Sequence, residues 1–387
     1  MRFANYNDNW NKSQLKNLCI FLKGNGVSKD ELSKEGQPCI LYGELYTTYK
    51  MSKIKEIKSR TMLDNPNLVR SKKNDVIIPC SGETAIDIAT SVCIPVDNVI
   101  LGGDLTIIRS NLDGEFLSNQ INSVKRKAIA TIAQGASIVH LHADDLKNIE
   151  IDFPTLAEQR KIADFIGVLD DRIEAQSKII ENIKYYKKII SDNFLYSKDT
   201  ISYKPLKEFG KVKNGYAFKS ENYVENGLYN IITIANVSGD KYIQTKECNK
   251  IKDLPNDIQK HQVLQENDIL ISLTGNVGRV SLATNGQHLL NQRVGLFELF
   301  DKNLTEYIYQ CLSNKTFEKS MTLKGQGAAQ LNIGKDDIEN YLIPQPNNES
   351  KKVISLLSYI DKKISIEYSL LQKYREQKSF LLSNMFI

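Results

Sequence analysis

An apolar residue returns every three or four positions along two long stretches of the chain, and these seams are its most regular feature. The first runs Ile162, Ile166, Leu169, Ile173, Ile180, Ile183, Ile190 and Phe194, interrupted at Gln176 and Lys187. The second runs Val353, Leu357, Ile360, Ile364, Leu371, Tyr374, Leu381 and Met385, interrupted at Glu367 and Lys378. A seam of this spacing, held for several heptads, predicts a helix packed as a coiled coil rather than buried in a globule. Pro154 followed by Thr155-Leu-Ala-Glu158 predicts the first helix start: the hydroxyl can satisfy an early amide, and the carboxylate can reach back to the cap. Each helix would run about 38 residues, roughly 57 Å at 1.5 Å per residue. With two such stripes in one chain, each is the economical partner of the other. A separate coiled-coil dimer for each helix is the alternative.

The segments between the seams carry a different pattern. Short apolar runs such as DVIIPC, LTIIR, NIITI, DILISL and RVGLFEL are bounded by Gly, Asn and Asp, which predicts strands. TEYIYQCLSNKTFEKSM predicts helix. These segments also repeat. LKNLCIFLKGNG from Leu15 lines up with LKEFGKVKNGYA from Leu206, placing Gly24 on Gly215 at a shift of 191. KKNDVIIPCSG, ending at Gly82, matches QENDILISLTG, ending at Gly275, at a shift of 193. AQGASIVHLHADDLKNIEIDFP, ending at Pro154, matches GQGAAQLNIGKDDIENYLIPQP, ending at Pro346, at 192. KIADFIGVLDDRI from Lys161 matches KVISLLSYIDKKI from Lys352 at 191. The seam interruptions fall at the same repeat positions, whereas Leu41–Arg70 hardly resembles its counterpart. A period this long is not that of a solenoid. It indicates a tandem duplication of one globular domain followed by one helix. The expected fold is α+β: two mixed α/β domains, residues 1–153 and 200–346, alternating with two long antiparallel helices, residues 154–199 and 347–387. The polar stretch around Ser197–Thr200 is the expected junction.

Composition narrows the classes without choosing a function. The 387 residues are 41% apolar and 25% charged, which excludes wholesale disorder, collagen and a disulfide mini-protein. No run of 18 apolar residues is present and the first residues lack a secretory pattern. The six cysteines, Cys19, Cys39, Cys80, Cys93, Cys248 and Cys311, form no CxxC pair and are expected as free thiols in the cytoplasm. A net charge of +5 permits a nucleic-acid partner but does not argue for one.

The chemistry is notable for what is not repeated. Gly334-Lys335-Asp336 has neither the spacing nor the hydroxyl of a P-loop, and Asp64-Asn65-Pro66-Asn67 lacks the second proline and aromatic of an amino-methyltransferase loop. His140-x-His142 offers two metal ligands without a third. Ser81-Gly82 and Thr274-Gly275 recur, but no histidine recurs with them, so they are expected as strand-ending turns. Gly24-Asn25-Gly26 reads as a turn as well. A duplicated enzyme would keep its acid, base or nucleophile in both copies; here the copies share framework and differ in polar and aromatic loop content. That suits two binding modules. Candidate nucleic-acid contacts are Lys23, Lys29, Lys34, Tyr42, Tyr46, Tyr49 and Lys50 in the first half. In the second they are Lys211, Lys213, Tyr216, Lys219, Lys241, Arg279, Arg293 and Lys324. Residues 201–250 hold 8 basic against 5 acidic residues. Lysines neutralise phosphates, while Arg, Asn and Gln can form paired bonds to purine edges. Lys184-Tyr-Tyr-Lys187-Lys188 and Lys362-Lys363 are expected as solvated helix faces.

The string Pro154-Thr-Leu-Ala-Glu158-Gln159-Arg160-Lys161-Ile162-Ala163, then Leu169-Asp170-Asp171-Arg172-Ile173, resembles the central region of the specificity subunits of type I restriction–modification systems. The second half carries a weaker form at Pro346, Lys352-Val353, Ile360-Asp361 and Ile364, with Ser350-Lys351 in place of Glu158-Gln159. GQGAAQLNIGKDDIENYLIPQP resembles the family's recognition-domain exit. Nearly the whole chain is covered. The resemblance implies a subunit with no catalytic activity of its own, whose two recognition domains each read one half of a split double-stranded DNA target. It implies that the helices are the spacer and the docking site for two methyltransferase subunits. S-adenosylmethionine would belong to those partners, and ATP and magnesium to motor-nuclease subunits, with no cofactor or metal on this chain. Other readings are the recognition subunit of another bipartite methylating or cleaving system, or a coiled-coil scaffold that binds protein.

Overall fold

A computed structural model describes residues 2–49, 51–133, 135, 139–196, 202–325 and 331–386. The expected junction at Ser197–Thr200 and the candidate Lys50 lie outside the described residues. The chain divides into two compact units. One is Met1–Ser177 with Ser369–Ile387, and the other is Lys178–Tyr368. Two long helices, Leu156–Tyr196 and Asn348–Met385, each contribute to both.

In the first unit the central sheet orders Cys19–Lys23, Leu105–Ser110, Val76–Pro79 and Val92–Cys93, every neighbour antiparallel. Its inner strands are buried on both faces, which is why VIIP reads as an unbroken apolar run rather than an alternation. Val76, Ile78 and Ile108 pack with Leu117 and Ile121 of the helix Gly114–Asn122. Ile77, Leu105 and Ile107 face the other way, against Ile40, Leu45 and Ile94. A smaller sheet orders Leu32–Ser33, Ser59–Thr61, Gln37–Ile40 and Ile100–Leu101, the last pair parallel.

The second unit repeats this plan. Its central sheet orders Gly210–Asn214, Val294–Leu299, Ile269–Ser272 and Val280–Leu282, again all antiparallel. Ile269, Ile271 and Phe297 pack on Tyr307, Ile308 and Leu312, while Leu270, Val294 and Leu296 meet Ile232 and Val237. The smaller sheet has three strands, Lys250–Ile251, Tyr229–Ile232 and His288–Leu290, with the last pair parallel as before. The copies agree down to single turns. Asn74 and Asn267 are both left-handed, at φ 79° and 68°, a conformation Asn tolerates better than most residues. Each precedes an aspartate whose carboxylate accepts a backbone amide three residues upstream, Lys72 to Asp75 at 2.7 Å and Gln265 to Asp268 at 2.8 Å.

In each unit the long helices run antiparallel against one another. Ile162, Ala163, Ile166 and Leu169 pack with Leu381 and Met385 in the first, sealed by Trp10, Phe116 and Phe386. In the second, Ile190 and Phe194 pack with Val353, Ile354 and Leu357. Ile180 and Leu371 are buried, and Ile173, Ile183, Ile360, Ile364 and Tyr374 are half-buried. The helices are therefore each other's partners, and not halves of separate dimers.

The charged interruptions of the seam pair across it. Lys378 reaches Asp170 at 2.6 Å in the first unit, and Lys187 reaches Asp361 at 2.6 Å in the second. At the repeat shift of 191 these are the same pair with the helices exchanged. Lys187 is therefore not on a solvated face as expected: its side chain is 19% exposed. Gln176 and Glu367 are buried in the seam, Glu367 accepting from Lys363 at 2.6 Å. Around Asp361 the second unit adds Gln310, which donates to it at 2.6 Å and to Glu306 at 2.8 Å. Lys241 donates to both oxygens of that same Glu306 at 2.8 and 2.9 Å. The first unit holds the related pair Lys53–Glu115 at 2.9 Å, and burial pushes the Glu115 carboxyl above its ordinary range against the pull of Lys53.

Glu158 also departs from expectation. Both its oxygens accept from the Arg2 guanidinium, at 2.7 and 2.8 Å, and the side chain is 1% exposed. It fastens the first residues of the chain to the helix start instead of serving as the far half of a capping box. The reciprocal box occurs at the second helix, where Ser350 Oγ accepts from Asn347 N and Asn347 Oδ1 accepts from Ser350 N, both at 2.8 Å.

Removing one partner of a largely buried ion pair leaves the other desolvated and uncompensated. Lys378→Met is expected to cost about 2 kcal/mol in urea unfolding, and adding Asp170→Asn to recover part of that loss. Strictly additive effects in this double-mutant cycle would show that the pair is not coupled.

Candidate nucleic-acid interface

Antiparallel pairing brings four strand ends to one edge of each central sheet. In the second domain Asn214 lies opposite Gly295, Ser272 opposite Val294, and Ile271 opposite Val280. The segments leaving that edge are Gly215-Tyr216, Gln292-Arg293, Thr274–Asn276 and the approach to Val280 through Arg279. Thr274 also bridges to Asn332. Asn276, Gln292, Arg293 and Asn332 are exposed there, and Tyr216 and Arg279 half-buried.

The backbone of this edge is held tightly. Tyr216 N donates to Leu290 O at 2.8 Å, Gln292 N to Tyr216 O at 2.9 Å, and Leu273 N to Arg293 O at 3.0 Å. Arg293 N donates to the Asn291 side chain at 3.2 Å. A Cβ on Gly215 would lie 2.2 Å from Asn291 O, so only glycine allows the two segments to run this close. Gly24 is under the same constraint, 2.2 Å from Gly102 O, which explains why this glycine recurs at the repeat shift. The Tyr216 hydroxyl donates to Asp257 at 2.7 Å, which holds the phenol above its ordinary pKa, and its ring lies 4.9 Å from Phe218.

The corresponding edge of the first domain is chemically different. Lys23 lies opposite Thr106 and Pro79 opposite Leu105, and Ser81-Gly82 pairs with Val139–His140. Lys23, Glu83 and His140 are exposed. Ser81 Oγ sits 3.4 Å from His140 Nδ1. The equivalent pair in the second domain is Thr274 and Asn332, whose amide does not titrate near neutral pH. No group of three His, Cys, Asp or Glu residues among those described could hold a metal ion. The six cysteines are free thiols. No described helix is long and apolar enough to cross a membrane.

The expected contacts therefore separate. Tyr216, Arg279 and Arg293 are brought together at one edge. Arg279 is 3.6 Å from Glu318, and Lys324, exposed, donates to Asp337 O at 3.0 Å. Lys213, half-buried, lies 3.4 Å from Glu298; Lys219, exposed, lies 3.7 Å from Glu221. Lys211 is exposed opposite Glu298, towards the far end of its strand. In the first domain Lys29, Lys34 and Tyr42 are exposed on the side of the smaller sheet. Tyr46 is half-buried, its hydroxyl donating to Ser81 O at 2.6 Å. Tyr49 and Lys241 are structural instead. Tyr49 is 7% exposed in the core, its phenol pushed up to about 12 by burial, and accepts from Lys58 N. Lys241 is spent on Glu306 and lies over the Tyr309 ring, 5.5 Å from its centre. Asn276, Gln292 and Asn332 were missed by sequence reasoning that counted cations and tyrosines. Their signal is position: Asn276 directly follows one repeated block, Asn332 lies within another, and Gln292 just precedes the strand Val294–Leu299.

Comparison with known proteins gives a consistent picture. A family model described as the type I restriction modification DNA specificity domain matches residues 7–185 and again 198–373. The type I restriction enzyme MjaVIII specificity subunit of Methanocaldococcus jannaschii is 25% identical over 411 aligned residues, covering 96% of this chain and 89% of that one. The putative MjaX specificity subunit of the same organism is 34% identical over 122 residues, covering 29% of this chain and 28% of its own. Among solved structures, the type I restriction–modification S subunit from M. genitalium matches with a TM-score of 0.64 at 18% identity, over 100% of this chain and 99% of that one. A chain solved in work on assembly and conformational transition of the type I system matches with a TM-score of 0.56 at 17% identity, covering 98% of each. At these identities the structural likeness concerns the fold.

Substituting Gly215 by alanine tests the geometry of the second edge. The added methyl must displace the Asn291 backbone, with an expected cost of about 1–3 kcal/mol. DNA binding should weaken more than that of a variant equally destabilised in the core, as read by gel shift of the assembled complex. Equal loss in both would show that this edge is not specially involved.

Proposed function

The chain belongs to the family of type I restriction–modification DNA specificity subunits, and from that premise we propose that it is the non-catalytic reader of a bipartite double-stranded target. Each globular domain reads one half-site with the edge of its central sheet, and the paired helices set the unread gap. The observation that carries this is the contrast within the duplication. Sheet order, core, turns and the Gly24 and Gly215 contacts are kept, while the exposed side chains at matching positions of the shared edge differ: Glu83 stands where Asn276 does, His140 where Asn332 does, and Asp104 where Arg293 does. Two copies of one frame carrying different polar tips suit two readers of different sequences. The modest charge of +5 fits a reader that shares its phosphate contacts with partner subunits.

The proposed partners are two methyltransferase subunits, which supply S-adenosylmethionine chemistry on adenine, and motor-nuclease subunits, which use ATP and magnesium. A second stripe on each helix, away from the seam, supports docking of two equivalent copies. Phe165, Val168, Ile179, Tyr186 and Ile189 are exposed on the first helix, and Leu356, Tyr359, Ile366 and Phe380 on the second. Phe165 matches Leu356, Val168 matches Tyr359, and Ile189 matches Phe380 at the repeat shift of 191. Exposed apolar side chains repeated at helical spacing mark interaction surfaces.

Two experiments follow from this reading. Exchanging residues 1–150 for the same domain of another specificity subunit should change only one half of the methylated motif, read by long-read methylation mapping. Changes in both halves, or in neither, would refute modular reading. Val168→Asp and Tyr359→Asp should each remove one methyltransferase copy from the complex, and together both copies, as seen by native mass spectrometry. A complex that keeps both copies in the double variant would place docking elsewhere.

A further inference from the structure

Seven arginines lie in or beside the globular domains, and six of them are engaged. Arg2 holds Glu158, Arg70 the Gln37 side chain, and Arg109 the buried Asp75. Arg60 and Arg126 donate to the backbone oxygens of Gly36 and Ile86, and Arg279 lies beside Glu318. Arg293 is the exception: its side chain is exposed and makes no hydrogen bond or ion pair among the described residues. Yet its backbone is held at both its amide and its carbonyl. Its amide is held by Asn291, its carbonyl accepts from Leu273, and the preceding residues are pressed against Gly215. A fixed root and an unspent guanidinium form a probe aimed outward from the sheet edge.

We propose that Arg293 reads a guanine in the half-site of the second domain. This rests on that domain being a DNA reader. A guanidinium presents two parallel donors that match the O6 and N7 acceptors of guanine in the major groove. Such a contact needs a side chain with no competing partner and a base of support that does not move. A phosphate contact needs neither, because any flexible cation satisfies it. The flanking Gln292 and the nearby Asn276, both exposed, add amides that can pair with adenine, so the edge as a whole favours purines on the strand it faces. At the equivalent place in the first domain, where a carbonyl accepts from Cys80 N at 2.7 Å as that of Arg293 does from Leu273 N, stands the exposed Asp104, which cannot donate to guanine.

The test uses the full chain assembled with its methyltransferase subunits, assayed on a DNA library randomised across the methylated motif. The wild type, Arg293→Ala and Arg293→Lys are compared, with thermal unfolding confirming that each folds. Both variants are expected to lose preference for guanine at a single position of one half-site by about 10- to 100-fold, with the other half-site unchanged. Three results would overturn the proposal: full specificity in Arg293→Lys, uniform weakening on all sequences with a salt dependence reduced by about one phosphate, or a second half-site without guanine. Failure of the underlying reading looks different. It would appear as a wild-type complex with no preference at any position of that half-site.

Discussion

Two ion pairs across the helix seam govern how the rest of the chain is arranged. A purely apolar seam tolerates sliding by a heptad, since one Ile or Leu replaces another at little cost. A lysine buried there is tolerated only opposite its carboxylate, so Lys378 with Asp170 and Lys187 with Asp361 fix the register of the helices within each unit. In the second unit the constraint continues outward. Asp361 is bonded by Gln310, Gln310 by contact with Glu306, and Glu306 by Lys241, so the helix seam and the globular domain share one polar network. The domain's orientation on its helices is thereby set by hydrogen-bond geometry as well as by apolar contact.

The long helices and the duplication were legible because both are periodic signals, accumulated over many residues. The seam positions pack as the 3-4 spacing implied. What the spacing could not convey is why it was interrupted: Lys187 looks like a solvated lysine, and Lys378 like a bare break in the seam, until Asp361 and Asp170 are seen opposite them, roughly half a chain or more away in sequence. The same limit applies to the interface. Lys241 and Tyr49 have the residue types of nucleic-acid contacts, and only burial and partners reveal that one neutralises Glu306 and the other fills a core. Conversely, Gln292 and Asn276 carry no compositional signal. They become notable when antiparallel pairing gathers four strand ends along one edge.

Divergence between the copies is concentrated where packing does not dictate the residue. The central sheets keep their order, and the turn built on Asn74 and Asp75 is reproduced at Asn267 and Asp268. The smaller sheets keep the parallel pair but differ in strand number, four against three. The sheet edges differ most. A scaffold of this kind separates two demands that usually compete: the frame carries stability, and the tips can vary without disturbing it. Glycine at 24 and 215 is where the two meet, because the closeness of the segments there holds the tips in place.

The make-up of the first compact unit has a kinetic consequence. It joins Met1–Ser177 to Ser369–Ile387, so nearly two hundred residues of the other unit are synthesised between its parts. Leu381 and Met385 complete the apolar surface around Ile162, Ile166 and Phe116, and Lys378 neutralises Asp170. Until those residues leave the ribosome, the first domain carries an uncovered helix face and an unpaired carboxylate. The second unit, continuous in sequence, has no such wait. Vectorial synthesis therefore inverts the order of the chain: the domain made first is the last to be finished.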